Sequence, residues 1–216
     1  MNRLLKASLV ALLLGSVTAC QSAYYAAWEK VGVEKREILV DRVEDARESQ
    51  QDAEEQFTSA LEEFSALIQF DGGDLEEAYQ SLNDQYEASK SAAEDVTNRI
   101  DKIESVADAL FDEWEAELEE YSNASLKRTS KQTLSETRLK YNKMVRAMRK
   151  VESSMAPVLS TLQDNVLFLK HNLNASAIGA LQGELNNIER DVKTLLTDMQ
   201  SAIAQSNDFI ADMNGG

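Results

Sequence analysis

Apolar side chains recur along most of this chain in alternating steps of four and three residues, which is the spacing of a heptad repeat. This period keeps the apolar residues on one stripe of a helix, and it cannot keep them on one face of a β-strand. Four segments carry the repeat, at residues 24–69, 75–121, 126–171 and 177–213. The first run reads Leu39, Val43, Ala46, Gln50, Ala53, Phe57, Ala60, Phe64 and Leu67. The pattern predicts an all-α protein whose long helices pack on partner helices.

Composition supports an all-α fold. The 216 residues include a single proline, and aromatic residues make up 6%. A β-sandwich or β-barrel normally contains more turn-forming, β-branched and aromatic residues. The hydrophobic share of 43% is too high for a disordered acidic chain.

The breaks between segments set the possible architectures. The sequence FDGGD at 70–74 is a strong turn signal, with Asp74 as a helix cap, so the first two segments are predicted to form an antiparallel hairpin. The break at 122–125 contains no glycine or proline. Segments two and three could therefore form one helix of about 140 Å, or two antiparallel helices of about 70 Å. The alternatives are a coiled-coil hairpin rod and an elongated four-helix bundle.

Pro157 lies inside the third segment, where its ring opposes the carbonyl of Ser153. The apolar stripe nevertheless continues in phase, from Met155 to Val158 and Leu162. A kink within one helix fits this continuity better than a chain reversal, which would not need to keep the register.

The first twenty residues are typical of an export signal. Arg3 and Lys6 precede a short apolar core, and small residues then lead to Cys20, the only cysteine of the chain. The sequence VTAC at 17–20 resembles the lipobox of bacterial lipoproteins. That resemblance implies a signal peptide at 1–19, acylation of Cys20, a tether at 20–27 and a helical coiled-coil domain at 28–213.

The location follows from the same resemblance. Gln21 stands where an aspartate would retain a lipoprotein at the inner membrane. The expected location is therefore the periplasmic face of the outer membrane in a Gram-negative bacterium. Tyr24, Tyr25 and Trp28 follow the anchor closely. They could rest in the membrane interface or cap the apolar core of the first helix.

Charge is sorted along the chain. Residues 41–120 hold 26 acidic and 5 basic side chains, whereas residues 127–150, the basic segment, hold 9 basic and 1 acidic. Two interpretations stay open: the basic segment packs beside the acidic helices, or it binds an anionic partner in the envelope. The heptad frame places Arg138 and Lys140 on the flanks, beside neighbouring helices. It places Lys143, Arg146, Arg149 and Lys150 on the outside. The candidate binding residues are Arg138, Lys140, Lys143, Arg146, Arg149 and Lys150.

The sequence offers no catalytic constellation, and we expect no enzyme, no cofactor and no metal site. His171 is the only histidine, so a two-histidine metal site cannot form, and its place near a helix end indicates a capping role. Neither a phosphate-binding loop nor a dinucleotide fingerprint occurs among the eight glycines. Nucleic acid is a poor candidate partner because the net charge is −16.

The whole chain resembles a group of short proteobacterial coiled-coil lipoproteins that form an uncharacterised family. The residues that carry the resemblance are the lipobox at 17–20, the aromatic start at Tyr24, Tyr25 and Trp28, and the break at 70–73. Members are sometimes labelled DNA-repair ATPases, but this chain has no phosphate-binding loop. The family brings no activity and no site residues.

These observations predict a lipid-anchored structural or protein-binding coiled coil. The alternative is a regulatory adaptor that docks on an envelope enzyme or transporter through residues 127–150. The expected partners are the membrane through acylated Cys20 and an envelope protein or anionic component. A homo-oligomer is a further alternative, since heptads do not say whether the partner helix belongs to the same chain.

Overall fold

The computed structural model describes residues 34–69 and 75–215, apart from the side chains of 175 and 176. Those residues contain five helices and no strand. The helices are α1 Lys35–Ile68, α2 Leu75–Leu118, α3 Ala124–His171, α4 Ala175–Gln182 and α5 Leu185–Gly215. The predicted all-α class is confirmed.

The four long helices form an antiparallel bundle. Going around it, α1 packs on α2, α2 on α3, α3 on α5, and α5 on α1, so α1 and α3 lie diagonally opposite each other. The start of α1 meets the end of α2 through Lys35 and Glu113, while the end of α2 meets the start of α3 through Trp114 and Ser130. We call this end, where α1 and α3 begin and α5 finishes, the N-terminal end of the bundle. The bundle alternative is therefore the one that forms, and the single long helix across 122–125 does not.

The core follows the predicted stripes closely. All nine positions of the first run, from Leu39 to Leu67, are buried. In the other three segments the central heptad positions are buried too. The exceptions lie near the segment ends, as at Glu117 and Tyr121, the last two heptad positions of the second segment, which are exposed. Each long helix thus buries one apolar stripe, which is the main source of its stability, because isolated helices have little of their own.

The break after α2 is built by a capping residue. Asn123 has an extended backbone, and its side-chain oxygen accepts hydrogen bonds from the backbone N–H groups of Ser125 and Leu126 at 2.9 and 3.2 Å. This contact satisfies two of the donors that the first turn of α3 leaves unpaired. An asparagine cap therefore reverses the chain where neither glycine nor proline is present.

Two predicted boundaries were wrong. The segment at 177–213 is two helices, α4 and α5, separated by a turn in which Gly183 N–H donates to Ala180 O. Glycine disfavours helix at this point, but Leu181, Leu185 and Ile188 keep the heptad spacing across it, so the apolar pattern does not reveal the break. The first helix was predicted from residue 24, yet Glu34 is extended and α1 begins at Lys35.

Pro157 lies within α3, which continues without interruption to His171, as predicted. Its ring is exposed, while Met155 and Val158 on either side are buried. The proline therefore leaves the packed stripe intact. Other predictions fall outside the described residues: the signal peptide, Cys20, the early aromatic residues, and the turn at 70–74 with its Asp74 cap.

Candidate anion-binding face

The basic segment lies on the first half of α3, beginning at the N-terminal end of the bundle. Its cations divide into two groups according to the neighbours that the fold gives them. Some reach carboxylates of α2, α3 or α5, and others point away from the bundle without an ion pair. The six candidate binding residues contain members of both groups.

Arg149 forms the most extensive ion-pair network. Its guanidinium donates to Asp101 and Glu104 of α2, at 2.6 and 2.5 Å, and to Glu152 of α3 at 2.8 Å. The hydrogen bond with Glu104, opposed by partial burial and assisted by Asp101 and Glu152, raises the pKa of Arg149 above its already high value. Three partners hold one forked donor in place, which is the geometry that arginine favours.

Lys150 pairs with α5. Its Nζ donates to Asp198 at 2.6 Å, and the Ser154 hydroxyl donates to the same carboxylate at 2.7 Å. Burial alone would raise the pKa of Asp198, but both hydrogen bonds and the charge of Lys150 outweigh it, so the pKa is lowered. Asp198 can be buried in the charged state because these two donors replace water.

Arg138 and Lys140 occupy the flanks of α3, as the heptad frame predicts. Arg138 pairs with Glu115 of α2, and its guanidinium lies 5.0 Å from the centre of the Phe111 ring. Lys140 pairs with Asp212 of α5 at 2.8 Å. These two cations tie α3 to both of its neighbours.

Lys127 closes the α2–α3 connection by donating to Glu119 at 2.9 Å. This hydrogen bond, followed by the charge of Lys127, lowers the pKa of Glu119, and the charge of Lys131 contributes in the same direction. Lys131 therefore acts on Glu119 without forming an ion pair.

Five cations of α3 form no ion pair among the described residues, and all are exposed: Arg128, Lys131, Lys143, Arg146 and Lys170. Three of them, Arg128, Lys143 and Arg146, occupy outer positions of the basic segment, whereas Lys131 lies at its flank and Lys170 at the far end of α3. Lys143 and Arg146 were predicted as binding residues, whereas Arg128 was not. Sequence inspection could have found Arg128, because it is separated from Arg146 by about five helical turns and lies on the same face.

An exposed leucine lies among these cations. Leu139 is 67% exposed. It is one turn before Lys143 and two turns before Arg146, so the three side chains share one face. Along α3, Leu139, Arg146 and Leu167 occupy the same heptad position, on the line farthest from the core. Leu167 is also exposed, so this outermost line is both cationic and apolar.

A cavity of about 310 Å³ opens at the N-terminal end of the bundle. Its lining includes Glu34, Lys35, Trp114 and Met213. The Lys35 ammonium donates to Glu113 at 2.9 Å beside it.

The described residues also limit what else the site could hold. In residues 34–69 and 75–215, no cluster of three or more histidine, aspartate or glutamate side chains is arranged to bind a metal ion. None of the helices in those ranges has a stretch both long and apolar enough to cross a bilayer. The candidate for binding is the exposed basic face of α3, because three of its outer cations form no ion pair among the described residues.

Comparison with known proteins places the chain in a family. No curated protein and no solved structure matches it. A family model described as "Protein of unknown function (DUF2959)" matches residues 24–213, a range that includes every helix core described above. Because this match spans most of the sequence, the chain belongs to the DUF2959 family of proteins of unknown function.

Proposed function

We propose that this protein is a lipoprotein of the outer membrane, anchored through acylated Cys20, whose helical bundle serves a structural or protein-binding role on the periplasmic side. The observation that carries the proposal is the position of Cys20. It is the only cysteine in the chain and stands directly after an apolar core and small residues, as in a lipobox. Several acyl chains on one residue make a durable anchor.

The architecture suits a structural or binding role. The bundle is about 70 Å long, as judged from the longest helix, and ion pairs join α3 to α2 and to α5 along its surface. Such a body can hold partners at a membrane or join envelope components. A second candidate, the regulatory adaptor, is supported by the unpaired cations of α3, since they offer a docking surface.

Fractionation of the native bacterium tests the anchor. Cys20→Ser should move the protein from the outer-membrane fraction to the periplasmic fraction, because no acyl chain can be attached to serine at this step. The membranes should be washed with concentrated salt, so that protein held only by electrostatic attraction is removed. Continued retention of Cys20→Ser after the wash would overturn the proposal.

Two further variants sharpen this test. Gln21→Asp should transfer the protein to the inner-membrane fraction if the residue after the anchor directs sorting. Ser22→Ala is the matched control and should leave the protein in the outer membrane. If Gln21→Asp also leaves the location unchanged, the outer-membrane assignment loses its support while the anchor itself stands.

A further inference from the structure

The bundle has a strong charge asymmetry across its long axis. Helix α3 carries ten basic and three acidic side chains, whereas α1, diagonally opposite, carries four basic and ten acidic ones. The flanking helices are acidic as well, with three basic and thirteen acidic side chains on α2 and two basic and five acidic on α5. One face of the bundle therefore attracts anions, while the opposite face repels them.

We propose that the outer face of α3 binds the anionic phospholipid surface of the membrane that carries the anchor. Arg128, Lys143 and Arg146 would contact the headgroups, and Leu139 would enter the boundary between headgroups and acyl chains. Cations near an anionic leaflet contribute binding that is roughly additive per residue. Leucines between such cations are typical of helices that lie in the plane of a membrane interface.

The line of exposed leucines favours a lipid surface over an acidic protein. Leu139 and Leu167 are separated by four heptads and lie on the same outermost line of α3. Together they would extend a contact along about 40 Å of helix. A broad planar bilayer can meet a contact of this length, and neither leucine lies at a position that forms the ion pairs between α3 and its neighbours.

The start of the bundle brings this face within reach of the anchor. Residues 20–34 lie between Cys20 and α1, and a chain of that length spans at most about 50 Å. The cationic part of α3 begins at the same end of the bundle as α1. A lipid and a polybasic surface can then act together on one bilayer, which is the usual requirement for stable attachment. In this orientation the acidic outer face of α1 points away from the membrane.

This inference rests on the proposed function only for the identity of the membrane that is bound. The binding itself is tested without acylation, on the mature chain of residues 20–216 with Cys20→Ser. Co-sedimentation should be measured with vesicles of phosphatidylglycerol and phosphatidylethanolamine, and with vesicles of phosphatidylethanolamine and phosphatidylcholine alone. We expect binding to the anionic vesicles, weakened by salt, and little binding to the others.

Charge variants locate the binding face. Replacing Arg128, Lys143 and Arg146 together with glutamine should weaken binding on the order of 100-fold, since each cation contributes about fivefold. The matched control replaces exposed lysines that also lack an ion pair among the described residues. These are Lys90, Lys102 and Lys193, on α2 and α5. This triple variant has the same net charge and should lose far less affinity, and circular dichroism checks that both variants remain folded.

A fluorescent probe tests the insertion of Leu139. Because Cys20→Ser leaves the chain without cysteine, Leu139→Cys creates a single site for an environment-sensitive dye. Its emission should shift to the blue on anionic vesicles. The control is Gln51→Cys, at an exposed position of α1, and its dye should not shift.

Three results would overturn the inference: no preference for anionic lipid, equal losses in the two triple variants, or no shift of the dye at position 139. Capture of an acidic protein by the same face without vesicle binding would also overturn it and favour the adaptor. The anchor is judged separately by salt-washed fractionation. If the protein does not bind vesicles and Cys20→Ser is released from the membrane fraction, this inference is rejected and the proposed anchor stands.

Discussion

Helices α1 and α3 lie diagonally opposite in the bundle and resemble each other on the inside but differ on the outside. Each buries a heptad stripe along most of its length. The exposed side of α1 is acidic, whereas that of α3 is basic and includes exposed leucines. The inner stripes determine which helices pack together, and some outer cations of α3 add ion pairs between neighbouring helices. The outer residues that form no ion pair are free to determine which surface the bundle faces.

Cations within α3 also differ in whether they form ion pairs. Arg149 and Arg146 are separated by one turn, yet Arg149 contacts three carboxylates and Arg146 contacts none among the described residues. Because only one of them is ion-paired, we expect the two arginines to have different roles. Arg149 should stabilise the fold, and Arg146 should contribute to binding.

The largest expected effect therefore comes from removing Arg149. Arg149→Gln should lower the free energy of unfolding by about 1–2 kcal/mol, because it leaves three neighbouring carboxylates without their cation. Urea unfolding followed by circular dichroism measures the change. Arg146→Gln is the matched control and should stay within about 0.5 kcal/mol of the wild type. Equal losses in the two variants would show that the ion-pair network does not separate the arginines.

The inner face of α1 contains a buried amide without a hydrogen-bond partner among the described residues, and a substitution there should give a somewhat smaller effect. Gln50 is fully buried in the stripe of α1, and neither of its amide atoms has a hydrogen-bond partner among the described residues. Gln50→Met keeps the side-chain shape and should raise the free energy of unfolding by about 1 kcal/mol, because no desolvated amide remains.

The reverse exchange on α3 sharpens this prediction. Met148 is equally buried, and Met148→Gln should lower the free energy of unfolding by about 1 kcal/mol through the same desolvation. Thermal unfolding of both variants gives the comparison. A loss of stability in Gln50→Met would mean that the amide does form compensating hydrogen bonds.

The smallest effect concerns the pH dependence of the pair between α3 and α5. The pKa of Asp198 is lowered in the folded state. Its contribution is therefore present above the unfolded pKa of about 3.9 and is lost as the pH falls through the lower folded value. In Asp198→Asn the free energy of unfolding should therefore fall less on acidification than in the wild type. Urea unfolding between about pH 6 and about pH 3 measures this difference.

Asp108 provides a control because its pKa is shifted in the opposite direction from that of Asp198. Burial, followed by the charges of Asp112 and Glu104, raises its pKa. Its charged form is penalised near neutral pH, and the penalty is relieved on acidification. Asp108→Asn should therefore gain stability near neutral pH and lose it more steeply in acid than the wild type. If the free energy of unfolding depends on pH equally in Asp198→Asn and Asp108→Asn, the opposite pKa shifts are contradicted.

Some features were determined by the sequence itself. The heptad stripes specified the fold class, most of the core and the continuation of α3 through Pro157, since burial of apolar side chains is the main driving force of folding and its period can be read directly. The break at Gly183 was missed because the stripe keeps its spacing across it. The start of α1 at Lys35 was missed because apolar side chains also occur at 24–33, and an apolar pattern does not fix the residue at which a helix begins.

Other features were decided only by the tertiary structure. Asn123 reverses the chain by bonding to backbone groups, and this selects the bundle over the long rod. Which cations are paired was also decided there. Sequence places Lys143, Arg146, Arg149 and Lys150 on the outside of one helix, but carboxylates of α2 and α5 reach only the last two of them. Ion pairing depends on distances of a few ångströms between chain segments far apart in sequence, and a heptad frame does not fix those distances.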